Sequence, residues 1–398
     1  MRNSRLALAL IIGIFSFSAF ASKDLAAEQL KSNLGFFVDM PSGFQLKSSD
    51  NKAHYAFVDP EDVMEFDIAA YDDGRYVDAD DMAKKTLEKF GSSGETTDYS
   101  YEGRKAVFAE LAFAVDGQAM KGYALFIGGR RKASGKGTKD ESDYALLAYA
   151  PEGRFADYAD FVLSCLDAFS IDQAARRSPG PVSQFTLEWP SAHDKEKTVV
   201  LPSGSKDSIS TVLPWSDDEA QQEMDTIQRE FRVLSIYTGA DGLWQDAWAR
   251  FYRMVYRESA ARLDRLSLEV SRLVPADDKT EAARRVLAWV QGFVYEKNGK
   301  GSGIEPPLVA AYEGKGDCDS RAVVAAIVLE RLGIDSIIMV SHEYEHALLG
   351  VDVQGGGQRF DFNGKKYLVG ETTAKVGLGM IAQDQADWSK WMGIHLGN

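Results

Sequence analysis

Three residues carry side chains suited to nucleophilic acyl chemistry, in the chain order Cys318, His346, Glu371. Cys318 follows the glycine-rich stretch Gly314-Lys315-Gly316-Asp317 and precedes the apolar run from Ala322 to Leu329. That run reads as a buried helix stopped at Arg331-Leu332-Gly333, which sets the cysteine in the first turn. There the unpaired backbone N–H groups and the positive end of the helix dipole favour a thiolate, and the same N–H groups suit an oxyanion. A thiolate attacks an acyl carbon, a histidine takes and returns the proton, and an acid on the other ring nitrogen fixes the tautomer. Cys318 is assigned the nucleophile, His346 the base and Glu371 the orienting acid. His342 is the alternative base and Asp361 the alternative acid. The plain alternative for Cys318 is a core thiol, against which stands its polar setting, Gly-Asp-Cys-Asp. Asp317 is expected to cap the helix, while the charges of Asp317 and Asp319 oppose the dipole that would activate the thiol.

These groups need a scaffold. Residues 279–295 carry a helical apolar stripe, with Ala282, Val286, Leu287, Val290, Phe293 and Val294 inward. After Gly333 comes the β-branched run 334–340, a buried strand, and then 346–353, which starts on His346. Residues 358–362 and 366–369 flank Asn363-Gly364, a two-residue hairpin signal, and Glu371 follows at once. Further upstream, 185–189 and 198–201 are expected as strands. A helix is expected from the cap Ser216 to about residue 237, and a second over 243–273, its aromatics (Trp244, Trp248, Phe251, Tyr252, Tyr256) read as core.

Together these stretches resemble the transglutaminase-like superfamily of papain-fold cysteine enzymes. "GKGDCDSRAVVAAIVLERLGID" matches its nucleophile helix, "HALLGVDV" its histidine strand, and "FDFNGKKYLVGETTA" its acid strand, in the branch with glutamate for aspartate. "VLAWVQGFVYEKN" looks like the helix before them. The resemblance implies Cys318 as nucleophile, His346 as base and Glu371 as acid, with neither metal nor organic cofactor. Leu348 stands where a tryptophan often follows the histidine. Tyr312, six residues before Cys318, stands where papain relatives place an oxyanion-hole glutamine, and is the auxiliary candidate there.

The rest of the chain bounds the setting. Residues 1–21 have the form of an export signal: Arg2 and Arg5, an apolar stretch, then Ala19-Phe20-Ala21. The mature protein is expected to be periplasmic or extracellular, without an integral membrane segment. A net charge of −15 with no basic face argues against nucleic acid and anionic membranes as partners. The partner implied is a protein or peptide substrate, of the cell envelope in the narrower reading. The two cysteines, Cys165 and Cys318, would silence thiol chemistry if they paired.

Residues 22–173 read as an α+β domain. Strands are expected at 36–44, 53–58, 64–70, 97–101, 105–115, 120–128 and 143–150, with helices at 78–90 and 154–169 and a basic hairpin tip at 129–137. "FFVDMPSGF", "YVDADDMAKKTLEKFG" and "FADYADFVLSCLDAFSI" resemble the PsbP-like fold, which implies a binding module with no catalytic set. A linker over 174–184 and a second domain over 185–398, with a core at 279–374, complete an α+β protein in which a papain-like domain follows a PsbP-like sandwich. Two functions follow: a cysteine enzyme cleaving or transferring an amide acyl group, with hydrolysis (a peptidase or amidase) favoured over transamidation, or a cell-envelope scaffold that keeps the fold without turnover.

Overall fold

A computed structural model describes residues 30–50, 53–71, 74–130, 141–202, 209–238, 242–299 and 301–397. The expected signal segment and most of the expected basic tip lie outside them. The chain forms two compact units, one ending at Pro190 and also including Arg232–Arg250, the other made of Ser191–Phe231 and Phe251–Asn398.

In the first unit, β1 (Leu30–Lys31) and β2 (Phe37–Val38) form a small sheet with β10 (Phe169–Ser170). The main sheet joins β3 (Gln45–Ser49), β4 (His54–Val58), β5 (Glu65–Tyr71), β6 (Thr96–Tyr101), β7 (Arg104–Val115), β8 (Gln118–Ile127) and β9 (Asp143–Pro151). Its order is β3-β4-β5-β9-β8-β7-β6, antiparallel throughout. Alternation along β7 sends Val107, Ala109, Leu111 and Phe113 to one face, where they meet Met82, Ala83 and Leu87 of α1 (Ala79–Phe90). Asp78 caps α1 by accepting from the Asp81 N–H. The opposite face carries Tyr123, packed edge-on against Phe155 of α2 (Phe155–Asp167). Cys165 is fully buried on α2.

The expected linker and the strand expected at 185–189 are different in the structure. Ala175–Arg177 make a 3-10 turn and Pro181–Thr186 form a short helix, α3. Pro181 presets the helical φ of the first turn, and the buried Asp167 carboxylate accepts from the N–H groups of Val182 (2.9 Å) and Ser183 (3.0 Å). The chain runs so close to Asp167 that a Cβ on Gly180 would lie 2.1 Å from its Oδ1. The turn composition was legible; the distant carboxylate that caps the helix was not.

In the second unit, β11 (Lys195–Leu201) and β12 (Ile209–Trp215) form a hairpin. Helices α4 (Asp217–Ile236), α5 (Trp244–Ala260), α6 (Asp264–Leu273), α7 (Lys279–Gln291), α8 (Pro307–Glu313) and α9 (Cys318–Arg331) follow, with parts of α4 and α5 counted in the first unit. Ser216 accepts from the Glu219 N–H at the start of α4, as expected. The single helix expected over 243–273 is broken between α5 and α6, where the Arg262 Nε donates to the Glu258 carbonyl (3.0 Å) that an unbroken ladder would use. The sheet is antiparallel, in the order β15 (Arg359–Phe362), β16 (Lys365–Gly370), β14 (His346–Val351), β13 (Ser336–Ser341), β17 (Met392–Ile394). Ile337, Met339, Leu348, Tyr367, Val369 and Trp391 pack together on one side of it. Helix α9 is buried along its whole apolar run, Ala322 to Leu329, against the sheet and the neighbouring helices. Its all-round apolarity follows from that central position.

Candidate active site

Cys318 is the first residue of α9. Asp317 caps the helix, its Oδ1 accepting from the Ser320 N–H (2.9 Å) and hydroxyl (2.7 Å). The loop before it needs Gly316, whose φ is +150° and whose Cβ, if present, would lie 3.0 Å from that of Ser320. Cys165 and Cys318 are both free.

β14 runs beside β16 with Leu349 opposite Gly370. His346, three residues before the one, and Glu371, directly after the other, therefore fall at the same end of the two strands. The His346 Nε2 lies 2.9 Å from Glu371 Oε2. An ionised carboxylate only accepts, so Nε2 carries the proton and Nδ1 is the basic nitrogen. The other oxygen of Glu371 accepts from the Thr373 N–H (2.6 Å) and hydroxyl (2.6 Å). Burial would raise the Glu371 pKa, but the bonds from His346 and Thr373 prevail and bring it down to about 2. Trp391 packs edge-on against the His346 ring, with centroids 6.3 Å apart. The backbone N–H of the next residue, Ala347, acts to lower the Cys318 pKa.

The remaining candidates lie elsewhere. His342 is exposed in the turn between β13 and β14, and Asp361 is exposed on β15 opposite Lys366. Tyr312 is buried on α8 against Trp215, at 5.1 Å between rings, and its pKa is pushed to about 12 by burial and then by Glu219. The phenols that feel the thiol are others. Burial and then Cys318 raise the Tyr295 pKa, and the Tyr252 hydroxyl donates to Asp319, the residue after the nucleophile.

The helix dipole is opposed at this thiol. Burial comes first, and the carboxylates of Asp319 and Asp317 add to it, so the Cys318 thiol is pushed well above its ordinary range despite the Ala347 N–H. Asp317 itself is raised to about 6 by burial and then by Asp319. The thiol donates to Asp319 Oδ2 at 3.4 Å.

Two positioning residues escaped the sequence reading. Arg321, 1% exposed, donates to three carbonyls: Gly316 (2.9 Å) before the nucleophile, Phe293 (2.8 Å) after α7, and Thr372 (3.3 Å) beside the acid. Gln291, also buried, donates to the carbonyls of Glu371 (2.7 Å) and Val376 (2.9 Å). Arg321 stands at the head of the apolar run, after Asp319 and Ser320, and a charge bordering the buried helix was the signal available for it. Gln291 offered none.

Residues 269–357 match the transglutaminase-like superfamily. The match spans Cys318 and His346 and ends before Glu371. No curated protein matches the chain. Among solved structures, the solution structure of cyanobacterial PsbP (CyanoP) from Synechocystis is 8% identical, with a TM-score of 0.29, covering 39% of this chain and 98% of that one. A Bacteroides thetaiotaomicron structure is 11% identical with a TM-score of 0.25, covering 60% and 80% respectively. PA94, a Pseudomonas aeruginosa protein of unknown function, is 13% identical with a TM-score of 0.20, covering 34% and 89%. TM-scores of this size leave the fold to be argued from the elements themselves, which are a mixture of helices and antiparallel sheet in both units. No helix among the described residues is long and apolar enough to cross a membrane.

Proposed function

We propose that the chain is an exported cysteine enzyme that cleaves an amide through a thioester at Cys318, with water as the acyl acceptor. The observation that carries this reading is the 2.9 Å contact of His346 Nε2 with Glu371, at the start of a strand that packs against the helix Cys318 opens. Nδ1 of His346 takes the thiol proton as sulfur adds to the carbonyl carbon, and the π pair moves to oxygen. His346⁺ then protonates the departing amine, and water, deprotonated by the same nitrogen, releases the acid and restores the thiol. A protein or peptide of the cell envelope is the proposed substrate, and residues 22–173 are proposed as a binding module. Hydrolysis is preferred to transamidation because water is abundant and nothing in the sequence points to a dedicated amine site. Cleavage after Ala21 is checked by a mature N-terminus at Ser22 in mass spectrometry.

The test is Cys318→Ala in a peptide-release assay where the natural chain turns over. Activity is expected to vanish while the far-UV spectrum is kept, and unchanged turnover would exclude the reading. A second reading, a scaffold that keeps the fold without turnover, draws support from the upward shift of the Cys318 thiol. It predicts no labelling of Cys318 by peptidyl electrophiles, whereas the enzyme reading predicts labelling that requires His346.

A further inference from the structure

The titratable and charged groups around the Cys318 sulfur come from several elements. On α9 itself Asp317 caps the helix, Asp319 Oδ2 accepts the thiol hydrogen at 3.4 Å, and Arg321 lies one turn on. From α5, the Tyr252 hydroxyl donates to Asp319 Oδ1. β14 supplies His346, the end of β16 supplies Glu371, and the segment after α7 supplies Tyr295, with Lys297 acting on Asp317. One carboxylate therefore has the thiol on one oxygen and a phenol on the other.

We propose that Asp319 and Tyr252 are a positioning pair that holds Cys318 as a hydrogen-bond donor at rest, so that the nucleophile waits as a thiol. The inference rests on the acyl-transfer reading and gives the site its resting state. An ionised carboxylate accepts from S–H, but beside S⁻ it is a like charge at short range, so the contact is favourable only with the sulfur protonated. Tyr252 fixes the direction: with Oδ1 engaged, Oδ2 stays aimed at the sulfur. The proton leaves in the attack step, passing to Nδ1 of His346 while sulfur bonds to the acyl carbon and the carbonyl π pair moves to oxygen. A thiol held this way reacts slowly with oxidants and stray electrophiles, which suits a nucleophile in an oxidising compartment.

The experiment is the pH dependence of the iodoacetamide alkylation rate of Cys318 in the full chain, read by mass spectrometry. The natural chain is expected to alkylate faster with rising pH through and beyond neutrality, with no plateau below pH 7. Asp319→Asn is expected to move the midpoint down by about one to two pH units. Because a less basic thiolate is also a weaker nucleophile, the net gain at pH 7 is about 3- to 15-fold. Asp319→Glu, which restores the charge, is expected to return most of the slow profile. Tyr252→Phe leaves the charge but frees its aim, and is expected to move the midpoint the same way by less; it serves if Asp319→Asn fails to fold. A plateau below pH 7 in the natural chain, or variant profiles that superimpose on it, would overturn the pair. Alkylation needs no substrate, so the two proposals fail separately. Shifted profiles without any turnover reject the acyl-transfer reading alone, and turnover with unshifted profiles rejects the positioning pair alone.

Discussion

The proposed role of Glu371 depends on its staying charged. With its pKa brought down to about 2, it remains a carboxylate across any usable pH and keeps the proton on Nε2 of His346. Glu371→Gln preserves the shape but can offer its NH₂ to Nε2, which selects the wrong tautomer. The expected cost is about 10²- to 10⁴-fold in kcat with KM little changed, by the logic of the wrong-tautomer asparagine in serine-protease triads. The acid limb of the kcat/KM profile should not move toward the Glu371 pKa, since that carboxylate protonates only near pH 2. Steady-state kinetics from pH 4 to 9 check both points, and a loss under threefold would remove Glu371 from the acid role. The contact of His346 with Glu371 was legible because each borders a strand whose apolar pattern is plain. The state of Cys318 was only half legible: the charges of Asp317 and Asp319 could be seen to oppose the helix position, but the burial that weighs most against a thiolate is set in three dimensions.

At the scale of elements, Arg321 joins what the strands and helices bring together. Its guanidinium binds the carbonyls of Gly316, Phe293 and Thr372, which belong to the nucleophile loop, the segment after α7 and the acid loop. Arg321→Met removes a buried charge but leaves three carbonyls facing an apolar side chain. Each buried unsatisfied group costs about 1–3 kcal/mol, so a loss of roughly 3 kcal/mol or more is expected in urea unfolding. Arg321→Lys, a point donor without the fork, should recover less than half of it. A change below about 1 kcal/mol for Arg321→Met would mean that the carbonyls find other donors. Much of the element order was readable: α1, α2, α7 and α9 and most strands of both main sheets follow from period and capping residues, while β3, β17 and α8 were not expected. Where reading failed, at α3 and at the break between α5 and α6, a side chain distant in sequence or turned back on its own helix competes for the backbone, as Asp167 and Arg262 do.

At the scale of the whole molecule, an acidic chain of net charge −15 also holds carboxyl groups inside. Glu223 on α4 is fully buried, accepts from the Leu308 N–H (3.2 Å), and has its pKa raised from 4.5 to about 8, by burial first and against the pull of Arg262. Between those two values the folded chain binds a proton there that the unfolded chain has released, so stability falls as pH rises through that window. Asp317, raised to about 6, acts in the same direction over a narrower range. Glu371 acts oppositely, but only below the ordinary glutamate range, where its stabilising charge is lost as pH falls toward 2. Maximum stability is therefore expected near pH 5, with a loss of about 2 kcal/mol by pH 8, inside a linkage bound of about 5 kcal/mol for Glu223. Glu223→Gln, neutral at every pH and able to accept from Leu308 through its amide oxygen, should flatten that slope. Relative to the natural chain it should be near neutral at pH 5 and more stable at pH 8. Urea midpoints at the two pH values measure this directly, and a variant that loses as much stability as the natural chain between them would show that Glu223 is not the group releasing its proton.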